Sequence, residues 1–103
     1  MSMTTTGTLE ESARRLFPNQ NLDQVFAGLL LERAQRNLIK YQVTARQFET
    51  EYGQSFAAFR QHILTSEPDF RVEQDYFDWE LSVTGVADMQ AEIKRLRSLS
   101  NKP

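Results

Sequence analysis

Apolar residues recur along this chain at steps of three and four, the period of an amphipathic helix, and alternating apolar–polar runs of the strand type are absent. The clearest case begins at Asn21, where Asn21 and Gln24 form a capping-box pattern. Leu22, Val25, Phe26, Leu29, Ala34, Leu38 and Tyr41 follow at helical spacing and predict a helix over Leu22–Tyr41. Before it, Thr8 fits the N-cap of a short helix over Leu9–Phe17, which Pro18 stops. After it, Thr44 reads as an N-cap for a segment carrying Ala45, Phe48 and Tyr52 on one face, with Gly53 as its C′ residue. The intervening Gln42-Val43 also allows the two helices to run on as one. Ser55 caps the next helix, whose apolar face is Phe56, Phe59 and Ile63, and Pro68 disfavours helix at Glu67. The longest helix is expected over Val72–Leu99. Gly85 in its middle marks either a kink or a close approach of another backbone.

These elements predict an all-α fold, a small bundle of four to five helices with a long C-terminal helix. Residues 8–99 would form one compact domain, between disordered tails at 1–7 and 100–103. A length of 103 residues suits one modest core, and 40% hydrophobic with 25% charged residues is ordinary for a globular chain. The absence of cysteine removes disulfides and thiolate chemistry together. The longest apolar run is Ala27–Leu31, far short of the roughly 20 residues of a membrane span, and the first residues lack the features of a secretory signal. The expected compartment is the cytoplasm.

Chemistry concentrates in "EQDYFDWE", Glu73 to Glu80, which interleaves acids with Tyr76, Phe77 and Trp79. Helical spacing turns Tyr76, Trp79 and Val83 inward and leaves Phe77 among Asp75, Asp78 and Glu80 on the water side. An exposed aromatic rimmed by charge is an interface signature, so Glu73, Asp75, Phe77, Asp78 and Glu80 are the candidate partner-binding residues. One carboxylate pair on a face, Asp75 with Asp78, falls short of the oxygen set a hard cation needs, and neither metal nor other cofactor is expected. The lone His62 has no acid three or four residues away, so no nucleophilic triad is indicated and no catalytic residue is assigned. Arg33, Arg36 and Lys40 share a helix face that could meet phosphates, but the net charge of -2 argues against nucleic acid. The run Leu29-Leu30-Leu31 spreads over about 200° of a helix, more than one core can cover. These leucines are the candidate surface of a homodimer.

"EYGQSFAAF", Glu51 to Phe59, followed by "DYFDWE", Asp75 to Glu80, resembles a family of short prokaryotic all-helical antitoxin-like proteins, the TumA type among them. The resemblance spans about Leu29 to Leu96. It implies the antitoxin-like member of a two-gene toxin–antitoxin system, a non-enzymatic protein–protein interaction module whose partner is a basic, toxin-like protein. Two alternatives stay open from the residues: a small metal- or acid-dependent enzyme using Glu73, Asp75 and Asp78, or a weak nucleic-acid binder using Arg33, Arg36 and Lys40.

Overall fold

The computed structural model describes the backbone of residues 2–100 and the side chains of residues 7–99. Its four helices are α1 (Ser2–Leu16), α2 (Leu22–Tyr52), α3 (Phe56–Leu64) and α4 (Phe70–Ser100), and no strand occurs among the described residues. The fold is all-α with a long C-terminal helix, as the periodicity predicts. α2 and α4 lie against each other along their length as an antiparallel pair. α3 packs on α4 at one end of the pair, and α1 touches α2 at the other.

Local signals account for most of the boundaries. The Asn21 carboxamide oxygen accepts from the Gln24 N–H and the Gln24 side chain accepts from the Asn21 N–H, each at 2.9 Å, a complete capping box. Gly53 ends α2 in the left-handed region, φ 65°, and its N–H donates to the Glu49 carbonyl. Ser55 then caps α3 through the Ala58 N–H at 3.2 Å.

The structure differs from the sequence expectation in four places. α2 runs unbroken through Gln42–Thr44, so Thr44 is a helix-interior residue and not an N-cap. Nothing in that stretch breaks a helix, and Tyr41 and Phe48 anchor it to α4 on either side. α1 begins at Ser2 and carries Thr8 in its interior, so residues 2–7 are helical; Met1 and residues 101–103 lie outside the described residues. α4 starts at Phe70 because Asp69 caps it, its carboxylate accepting from the Val72 N–H at 2.9 Å. Finally, the chain is extended and not compact. It measures 59 × 31 × 18 Å with a radius of gyration of 20.1 Å, against about 13 Å for a compact chain of this length.

The core is correspondingly thin. Along the α2–α4 seam it consists of Ala34, Ile93 and Leu96, with Leu31, Leu38 and Met89 packed against them. At the α3 end it becomes an aromatic box. Trp79 and Phe59 are the most deeply buried side chains, each 1% exposed, and Phe48, Tyr52, Phe56 and Tyr76 surround them. Gly85 marks a close approach, but of a side chain and not of the backbone that the sequence reading named. The ring of Tyr41 lies directly over it, where a Cβ would come within 2.6 Å of Tyr41 Cδ2.

Candidate interaction surface

α4 is unusual in carrying large apolar side chains on opposite sides. One side holds Trp79, Ile93 and Leu96 in the core. The other holds Phe70, Phe77 and Leu81, which are 82%, 52% and 64% exposed. Steps of seven and four residues place these three within about 40° of one another around the helix. They therefore form a single outward row, which the ring of Tyr76 abuts edge-on at Phe77, centroids 5.6 Å apart.

Acids flank this row, though not the full set the sequence suggested. Glu73 and Asp78 are exposed beside it, Asp78 accepting from the Gln74 carboxamide at 3.3 Å. Glu80 is half-buried and accepts from the Tyr76 hydroxyl at 3.2 Å. Asp75 does not face water as expected. It is turned toward α2, half-buried, and accepts a hydrogen bond from the Tyr52 hydroxyl. Burial and this bond to Asp75 push the Tyr52 phenol up to about 12. The inward set also needs correcting. Trp79 is buried and Tyr76 half-buried, but Val83 is exposed because no element covers the middle of α4 on that side. The sequence reading missed Phe70 and Leu81, although their spacing from Phe77 is legible.

The three consecutive leucines divide among three environments. Leu31 packs in the chain's own core, Leu29 lies on the outer edge of α2, and Leu30 is exposed on the broad face of the α2–α4 pair. There Leu30 lines an open groove with Phe26, Ala27, Leu96 and Leu99. Arg33, Arg36 and Lys40 are exposed on α2 and make no ion pair among the described residues. His62 is exposed near the end of α3. No cluster of three or more His, Cys, Asp or Glu side chains suited to a metal ion occurs among the described residues. No described helix is long and apolar enough to cross a membrane.

What the fold and the surface define is an all-helical chain whose exposed aromatic and acidic side chains stand along the outer side of α4. No family model, curated protein or solved structure matches it.

Proposed function

We propose that this chain is a non-enzymatic helical interaction module, acting in the cytoplasm as the antitoxin-like member of a two-gene pair. Its partner is a basic, toxin-like protein, engaged by the N-terminal half of α4. The observation that carries this reading is the exposed row of Phe70, Phe77 and Leu81 with Glu73 and Asp78 beside it. Large apolar side chains aligned on one helix face supply a desolvated anchor, and the acids supply a rim that attracts positive charge.

The two parts act on different rates. Rim charges raise the encounter rate and make it salt-dependent, whereas the apolar anchor sets the lifetime of the complex. The test is to co-express the chain with the product of the adjacent gene, purify the pair and measure both rates. Glu73→Gln with Asp78→Asn should slow association and flatten its salt dependence. Phe77→Ala should speed dissociation about tenfold, the loss expected from a central aromatic anchor. Binding that neither change affects would remove this surface from the function.

A further inference from the structure

We infer that the broad face of the α2–α4 pair is covered by a second copy of this chain, making a four-helix bundle in which α2 of each copy lies antiparallel on α4 of the other. This surface adjoins the Phe70–Phe77 row and shares Leu81 with it, but the inference rests on its own observations.

The first observation is one of area. A compact monomer of 12.0 kDa exposes about 6,000 Å², whereas this chain exposes 8081 Å². The excess of about 2,000 Å² per chain is more than twice the roughly 800 Å² that each partner of a standard interface buries. The cause is architectural. Stable domains stack two layers around a core, but α2 and α4 form one layer. α1 and α3 touch that layer only near its ends.

The second observation is the pattern on the open face. On α2, Phe26, Leu30, Arg33, Asn37, Lys40 and Thr44 recur at alternating steps of four and three residues. On α4, Leu81, Gly85, Asp88, Glu92, Arg95 and Leu99 fall on the same alternation. This 3.5-residue repeat is the seam of a left-handed helical bundle. Both rows lie on one side of the pair. Phe26 and Leu30 share a groove with Leu96 and Leu99, and Lys40, Tyr41 and Thr44 share another with Asp78 and Leu81. Phe26, Leu30, Leu81 and Leu99 are exposed, and the ring of Tyr41 over Gly85 fills the middle.

Charge fixes the occupant and its orientation. The charged members of the α2 row are basic, Arg33 and Lys40, and the α4 row carries two acids, Asp88 and Glu92, beside one base, Arg95. Neither Arg33, Lys40 nor Asp88 makes an ion pair among the described residues, while Glu92 already pairs with Arg95 of its own helix at 2.7 Å and would be shared with Arg33. The contact of Tyr41 with Gly85 and the stacking of Phe48 on Trp79 set the level of one helix against the other. By the common helical rise, Phe26 is then level with Leu99 and Arg33 with Glu92. A two-fold axis running along the pair keeps these levels while laying α2 of one copy over α4 of the other. Arg33 then meets Glu92 of the second copy, Lys40 comes within a turn of its Asp88, and Phe26 meets its Leu99. The face is self-complementary, as an isologous interface must be.

Sedimentation equilibrium of the full chain at micromolar concentrations should give twice the 12.0 kDa mass. Arg33→Glu should raise the dissociation constant about tenfold by setting like charges opposite one another. Combining Arg33→Glu with Glu92→Arg in one chain should restore it to within about threefold of the original. Leu30→Glu changes an exposed position and should give a monomer with undiminished helical circular dichroism. A monomeric wild-type chain overturns the inference. So does a dimer that both Arg33→Glu and Leu30→Glu leave intact, which would place the interface on another face. A double variant no tighter than Arg33→Glu alone overturns the proposed orientation.

Discussion

At the scale of single residues, two aromatics two positions apart in sequence do different work. Trp79 is buried amid the rings of Phe48, Tyr52, Phe56 and Phe59, whereas Phe77 points out. Trp79→Ala should therefore cost about 3–5 kcal/mol in chemical denaturation. Phe77→Ala should cost under about 1 kcal/mol in the free chain. Equal losses at the two positions would contradict these assignments. Tyr52 links the aromatic box to Asp75, and its raised pKa sets a pH dependence. The folded state holds the phenolic proton more tightly than the unfolded chain, whose value is near 10. The stability from this bond is thus fully present below about pH 10 and is lost as pH rises toward 12. Tyrosinate absorbance should show one late-titrating phenol that Tyr52→Phe removes. A titration with no phenol near 12 that Tyr52→Phe removes would refute the pairing. Gly85 offers a test of sign. Gly85→Ala gains up to about 1 kcal/mol of helix propensity but displaces Tyr41, an overpacking cost of about 1–3 kcal/mol. It should destabilise the native chain and become stabilising when Tyr41→Ala has cleared the space. The same sign in both backgrounds would show that the ring does not rest there.

At the scale of elements, what was legible in the sequence was local. The capping box of Asn21 and Gln24, the left-handed Gly53 and the Ser55 cap each arise from side chain and backbone within four residues. The local order of residues suffices to announce them. Gly53→Val should cost about 1–2 kcal/mol, because a β-branched residue is strained at positive φ. A neutral result would mean that the backbone there is not left-handed. The misreadings have equally physical causes. Thr44 looks like a cap because Thr favours N-caps, but only tertiary anchoring by Tyr41 and Phe48 decides whether a helix runs through it. Asp75 looks exposed by its neighbours in sequence, and its true environment is set by Tyr52, 23 residues away. On α4 apolar residues occupy both sides, so periodicity finds the helix without saying which side is the core. That is why Phe77 was recognised as outward while its row-mates Phe70 and Leu81 were not.

At the scale of the whole molecule, the sequence announces helices but not their spread. Length and composition suit a compact bundle, and the chain instead forms one long layer with a thin core. A layer completed by a second copy links unfolding to association. The thermal midpoint should then climb with protein concentration, and Leu30→Glu should abolish the climb. A midpoint independent of concentration would indicate that the single layer is stable alone.

The aromatic box has a further consequence, for the order in which the chain assembles. Its rings come from residues 48 to 79, so closing it spans short stretches of sequence. At the other end of the pair, the groove that joins Phe26 to Leu99 needs a loop more than twice as long. Loop-closure entropy favours the shorter connection first. The two long helices should zip from the box outward, as a hinge closes from its pin. Amide hydrogens near Trp79 should exchange through global unfolding, while those near Phe26 and Leu96 exchange sooner by local fraying.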